Sequence, residues 1–162
     1  KGIYLDEDIA NPTPTQFSIG VAGYPEKHPE SPNFETDIKV LKHKLACGAS
    51  YVVTQLFFDN KHYINYLEMC RKNGIDVPIV PGIKPISVKA HLNILPKNFY
   101  VDIPIELSKE VEKCSSNREV EQVGIEWAIA QAKELVKANV PSIHFYTMGR
   151  SSNIAKIARA IY

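Results

Sequence analysis

Long apolar runs are missing from this chain. Charged or polar residues interrupt every stretch well before the ~20 apolar residues that a bilayer-spanning helix needs, so no membrane association is expected. An excess of one charge is missing too: 19 basic and 18 acidic side chains are interspersed, for a formal net charge of +1. Such a surface carries no field to draw nucleic acid or an anionic membrane, and a small-molecule partner fits better. Cysteine is scarce. Cys47, Cys70 and Cys114 are odd in number and far apart, without a Cys-x-x-Cys pair. They read as reduced thiols with no metal or disulfide role, Cys47 and Cys70 on apolar helix stripes. The first residues, Lys-Gly-Ile-Tyr-Leu-Asp-Glu-Asp, bring in acids before an apolar core can build, so no secretory signal is read there and a cytoplasmic location is expected. No Gly-x-Gly-x-x-Gly turn, Ser-His-Asp order or pair of facing carboxylates occurs, which disfavours a dinucleotide-binding doubly wound fold and hydrolysis alike.

What the chain does have is alternation. Phe17–Ala22, Tyr51–Phe58, Val77–Ile83 and Ser142–Thr147 are short apolar, β-branched or aromatic runs bounded by Gly, Pro or Asp, and they read as buried parallel strands. Helical periodicity follows each one. Ile38, Leu41 and Leu45 repeat until Gly48; Ile64, Leu67 and Cys70 repeat until Asn73-Gly74. Ser87 is expected to cap a third helix carrying Val88, Leu92 and Leu95 that Pro96 ends, and Ser151 or Ser152 a last one carrying Ile154, Ile157, Ala158 and Ile161. The third unit holds an insertion: a helical stretch near Leu107–Cys114, then a longer helix with Val120, Val123, Trp127 and Ala130 on its apolar stripe, ending at Asn139-Val140-Pro141. Strand-helix alternation implies right-handed crossovers and a parallel α/β sheet. Four such units in 162 residues are about half of the ~250 residues of a (β/α)₈ barrel.

In parallel architectures ligands bind beyond the carboxyl ends of the strands. After the first strand comes Gly23-Tyr24-Pro25-Glu26-Lys27-His28-Pro29-Glu30-Ser31, a loop whose prolines stiffen a dense set of hydrogen-bonding groups. It is either a rigid connector or a cofactor loop, and the second reading is preferred. On the next helix Asp37 and Lys44 are seven residues apart and nearly superposed. Beside that loop they offer an acid for ribose-type hydroxyls and a cation for phosphate. The second strand places Gln55 among apolar neighbours, where it is either a structural amide or one that recognises a heterocycle presenting a donor and an acceptor side by side. Ile83-Lys84-Pro85 after the third strand reads as barrel geometry without chemistry. After the fourth, Tyr146 and Arg150 could meet an aromatic or anionic ligand where the last helix begins, and Arg150 could equally make a helix-end ion pair.

Four ordered blocks, Ala22-Gly23-Tyr24-Pro25-Glu26-Lys27-His28-Pro29-Glu30, Thr54-Gln55-Leu56-Phe57-Phe58-Asp59, Pro81-Gly82-Ile83-Lys84-Pro85 and His144-Phe145-Tyr146-Thr147-Met148, together resemble methylenetetrahydrofolate reductases over nearly the whole chain. The resemblance implies that residues 1–162 are the C-terminal half of a (β/α)₈ TIM barrel. It also implies non-covalently bound FAD, electrons from NAD(P)H, and reduction of 5,10-methylenetetrahydrofolate to 5-methyltetrahydrofolate in one-carbon and methionine metabolism. By motif, Tyr24, His28 and Ser31 would belong to the flavin site, with Asp37 and Lys44 at its ribityl, ribose or phosphate region. Gln55 would touch folate or nicotinamide in turn, and Tyr146 and Arg150 would shape the folate pocket.

The sequence departs from the family pattern at His91, where a glutamine is often found, at Gly149, often asparagine, and at Leu95, often a stacking aromatic. The family's catalytic glutamate and the aspartate beneath the flavin ring come from earlier strands. No catalytic residue is therefore assigned within 1–162, and this segment alone is expected to be inactive, its full-length parent a homo-oligomer. The alternatives are another TIM-barrel flavin enzyme and a non-catalytic half-barrel.

Overall fold

A computed structural model describes residues 13, 15–149 and 151–162. The described elements are β1 (Gly20–Gly23), α1 (Phe34–Ala46), β2 (Tyr51–Leu56), α2 (Asn60–Lys72), β3 (Ile79–Ile83), α3 (His91–Phe99), α4 (Ile105–Lys113), α5 (Asn117–Lys137), β4 (His144–Phe145) and α6 (Ser152–Ile161). The strands form one sheet in the order β1-β2-β3-β4, every neighbour parallel. Strand-helix alternation is thus observed, with α4 and α5 as the insertion before β4.

Register explains which residues are covered. Val21 pairs with Val52 and Val52 with Ile79, and this row faces the helices: Val52 and Ile79 are fully buried in one core with Ile38, Leu41, Tyr63, Tyr66 and Ile157. The next row, Ala22, Val53 and Val80, points to the opposite face and is exposed or half-buried. A period-2 strand shows this when one face packs on helices and the other is only partly covered. Removing each large side chain of the helix-facing row from water contributes roughly 1.5–3 kcal/mol. A second core, beyond the carboxyl end of β2, joins Leu56, Phe58, Ile86, Leu95, Leu107, Val111 and Val120.

Helix ends follow local chemistry, with some corrections to the expected ones. Asn33 caps α1 by accepting from Thr36 N at 2.9 Å, Asp59 caps α2 by accepting from Lys61 N at 2.9 Å, and Ser116 caps α5. Ser87 does not cap α3. Its own N–H is taken by His91 Nδ1 at 3.2 Å, and the helix begins only at His91. Pro96 does not end α3 either; it lies inside, and the helix stops at Tyr100, whose left-handed φ of 55° lets its N–H reach Pro96 O at 2.9 Å. Ser151 precedes α6 without a side-chain cap, and Ser152 Oγ turns to Asn153 Oδ1 at 3.3 Å instead.

Other expectations shift too: β2 ends at Leu56, β3 begins at Ile79, β4 is only His144–Phe145, and on α2 Tyr63, Tyr66 and Cys70 are buried while Ile64 is exposed. β1 begins at Gly20 rather than Phe17, which is 80% exposed, because its one neighbour in the sheet, β2, offers partners only from Tyr51 on. On α5 the buried stripe is Val120, Gly124, Ala128, Gln131 and Leu135; Val123 and Trp127 flank it and Ala130 is exposed. Cys47 leaves the apolar stripe altogether. It is an exposed cap residue whose Sγ lies 3.7 Å from His43 Nε2, whereas Cys70 is buried. No helix among the described residues is long and apolar enough to cross a membrane.

Candidate functional site at the carboxyl end of the sheet

The loop after β1 is built around one carboxylate. Asp37, in the first turn of α1 and almost fully buried, accepts from His28 N at 3.0 Å through Oδ2 and from Ser31 Oγ at 3.3 Å through Oδ1. Lys27, at a left-handed φ of 73°, closes a turn by donating its N–H to Tyr24 O at 3.0 Å, and its ammonium group donates to the carbonyls of His28 and Ser31. The loop is therefore rigid for reasons beyond its two prolines. Tyr24 and His28 meet edge to face with ring centres 4.5 Å apart. Lys44 Nζ donates to Ala22 O at 3.3 Å and stands 5.8 Å over the Tyr24 ring.

Together Tyr24, His28, Ser31, Asp37 and Lys44 line one depression of about 280 Å³, so the structure brings together all five residues assigned to a flavin site. Burial first, then Asp37 and Glu30, push the Tyr24 phenol up, so it remains a donor at neutral pH. Asp37 has already committed an acceptor to each arm of the loop, which makes it a brace with only its remaining lone pairs left for a ligand.

Gln55 lies on the partly covered face of β2, half-buried rather than enclosed. Its Oε1 accepts from Leu56 N at 2.9 Å, so the oxygen is turned onto its own strand. The crevice beside it, shared with Tyr24, Pro25 and Tyr100, has about 10 Å³, room for one water at most. The strand's carboxyl end is held from behind by α5: Gln131 Nε2 donates to Phe57 O and Trp127 Nε1 to Phe58 O, both at 3.0 Å. A cavity of about 460 Å³ opens between Phe58, Trp127, Gln131, Asn60 and Pro104.

Tyr146 follows β4 and crosses back over the sheet. Its N–H donates to Ile83 O at 2.9 Å and its hydroxyl to Thr54 O at 2.8 Å. Gly82 permits the crossing, since a Cβ there would stand 2.6 Å from the Tyr146 ring. Burial pushes this phenol up as well. Tyr146 lines a third cavity, about 200 Å³, with Lys84, Ser87, His91 and Asn153. Arg150, assigned with it, lies outside the described residues.

The sequence reading passed over several groups. Lys84 is almost fully buried, and burial pulls its ammonium down; a lysine inside the apolar run Ile79–Ile86 was the available signal. Glu26, His62 and Asp102 come from three separate segments to within 4.8 Å of one another. Glu26 Oε2 accepts from Asp102 N at 2.7 Å while Oε1 is buried without a partner. Burial, mainly, pushes the Glu26 carboxyl up.

With this geometry in hand, comparison with known proteins is decisive for the family. The family model described as methylenetetrahydrofolate reductase matches residues 7–161. The chain belongs to the methylenetetrahydrofolate reductase family. It is 36% identical over 147 residues to a probable methylenetetrahydrofolate reductase (NADPH) of Caenorhabditis elegans, covering 90% of this chain and 22% of that protein. To the 5,10-methylenetetrahydrofolate reductase of Pectobacterium carotovorum it is 37% identical over 136 residues, 83% of this chain and 46% of the relative. Methylenetetrahydrofolate reductase (NADH) 1 of Arabidopsis thaliana is 36% identical, with 82% and 24% covered. The chain thus spans less than half the length of these relatives.

Among solved structures, an uncharacterized protein from Clostridium thermocellum that binds two copies of 5-methyl-5,6,7,8-tetrahydrofolic acid superposes with a TM-score of 0.56. The sequences are 18% identical, and 88% of this chain and 52% of that one are covered. This is a likeness of fold.

Proposed function

We propose that this chain is the carboxyl-terminal half of a (β/α)₈ barrel that reduces 5,10-methylenetetrahydrofolate to 5-methyltetrahydrofolate with electrons from NAD(P)H by way of FAD. The observation that carries the reading is the convergence of Tyr24, His28, Ser31, Asp37 and Lys44 on one depression at the carboxyl end of a parallel sheet. The half-barrel is supported by the four-stranded sheet with its partly covered face, and by relatives roughly twice as long or longer.

The depression suits one end of a dinucleotide. At about 280 Å³ it is smaller than the ~300–1,000 Å³ of a whole small-molecule site. Its chemistry fits: the Lys44 ammonium answers a phosphate, the Tyr24 phenol and the His28 ring offer an aromatic wall with donors, and Asp37 keeps the loop in place. FAD, when bound, supplies the two-electron redox chemistry. The protein's part is to orient the substrate, exclude water and deliver a proton to the folate nitrogen. Gln55 takes the recognition role once its oxygen leaves the Leu56 N–H, exposing an acceptor and a donor side by side. Tyr146, locked on Thr54, forms a fixed wall. The proton donor is assigned to the half-barrel that precedes this one, so residues 1–162 alone are proposed to lack turnover. The test is whether the full-length protein holds flavin and whether methylenetetrahydrofolate reoxidises it after reduction; a flavin-free protein, or one that the folate leaves reduced, would refute the proposal.

A further inference from the structure

Lys84 is the observation the proposed chemistry leaves unused. It follows β3 directly and is 7% exposed, yet among the described residues no hydrogen bond or ion pair involves its side chain, and burial pulls its ammonium down. A buried ammonium group is costly unless a partner compensates it. The cavity it lines is about 200 Å³, and none of the described lining residues is an aspartate or glutamate. Ser87, His91 and Asn153 bring polar groups to the same wall.

A second feature points the same way. Asn153 and Ile154, in the first turn of α6, line this cavity, and α6 spans ten residues with no side-chain cap on its leading N–H groups. An uncapped helix N-terminus carries a partial positive charge and free donors. Asn153 is 5% exposed, with Oδ1 accepting from Ser152 Oγ and Nδ2 directed to Ser87 Oγ, both at 3.3 Å, so its amide is held firmly at that wall. Among the described residues, a buried cation without a partner, a helix N-terminus without a side-chain cap and a wall without carboxylates all ask for the same thing.

We propose that the cavity between Lys84 and the start of α6 is an oxyanion-binding site, taking a carboxylate or phosphate group of a substrate. The oxyanion follows from the site alone. Its two sources, the carboxylates of a folate tail and a phosphate of the nicotinamide donor, rest on the folate-reductase reading.

Calorimetric titration of the full-length protein with p-aminobenzoyl-L-glutamate, inorganic phosphate and the carboxylate-free p-aminobenzamide tests this. The wild-type protein binds the first or the second, which identifies the source, and not the third. Lys84→Met, close in volume and uncharged, weakens that binding by about tenfold or more, and the ligand-free variant unfolds no lower than wild type because an uncompensated charge has gone. Lys84→Arg retains binding to within a few-fold. Failure of both anions to bind, equal binding by Lys84→Met, or a ligand-free Lys84→Met that is less stable or unfolded would overturn the site. Flavin absorbance measured on the same samples separates that failure from failure of the folate-reductase reading.

Discussion

Replacing Gly124 by alanine places the whole packing scheme under one test. Gly124 sits in the middle of α5 and is buried where that helix crosses the segment after β3. A Cβ built there would lie 1.9 Å from Ile86 O, 2.8 Å from Ile86 C and 2.9 Å from Ile86 N. All three are backbone atoms, so no side chain can swing aside. A carbon and a carbonyl oxygen in close contact stand about 3.3–3.6 Å apart, so helix and loop must separate by more than an ångström. The helix resists because Val120, Ile125, Ala128, Ala132 and Leu135 on the same stretch are all 3% exposed or less.

Overpacking of this kind costs roughly 1–3 kcal/mol, and the shift required here belongs at the upper end. Alanine returns about 1 kcal/mol of helix propensity, which leaves a net loss near 2 kcal/mol. For a domain of this size that lowers Tm by about 4–8 °C. Thermal unfolding followed by circular dichroism reads it directly. A Gly124→Ala protein with unchanged or higher Tm would refute the close crossing of α5 over Ile86, and with it the placement of Lys84 two residues away.

Two other substitutions probe the candidate site. Asp37→Ala removes the acceptor for His28 N and Ser31 Oγ, so FAD affinity of the full-length protein should fall by roughly tenfold or more, with a stability loss of about 1–3 kcal/mol; unchanged affinity by titration calorimetry would show that the brace is dispensable. Glu26→Gln tests a sign. Because burial raises the folded-state pKa of Glu26, the folded protein holds that proton to higher pH than the unfolded chain, and stability is lost as pH rises through the raised value. Glutamine still accepts from Asp102 N but never ionises, so the variant should gain in urea midpoint over wild type at pH 8 and lose that gain on acidification into the ordinary carboxylate range. A gain that grows toward acid would contradict the burial argument.

Much of the architecture was legible because period and punctuation agreed. Val52, Thr54 and Leu56 alternate with half-buried neighbours on β2, and Asn73-Gly74 does end α2. The α5 stripe was misread by one residue for a physical reason: Gly124 and Ala128 have little hydrophobicity to detect, and they are buried because they are small enough for close approach. Pro96 misled because a proline near a helix end sacrifices only the bond to Leu92 O, which the rest of the turn tolerates. The Tyr24–Ser31 loop was legible as a cluster, but the reach of Asp37 back into it was not. Lys84 escaped because a lysine beside a strand is ordinarily solvated, and only the tertiary packing of α3 and α6 encloses it.

The most direct measurement of the central claim is an anaerobic absorbance experiment on the full-length protein, with residues 1–162 plus added FAD as the comparison. The account predicts isoalloxazine bands in the purified full-length protein, bleaching by NADH or NADPH, and recovery on adding 5,10-methylenetetrahydrofolate as 5-methyltetrahydrofolate forms, none of which the 162-residue chain sustains as turnover. A full-length protein without flavin, a bleached flavin that the folate leaves reduced, or sustained turnover by residues 1–162 alone would contradict it.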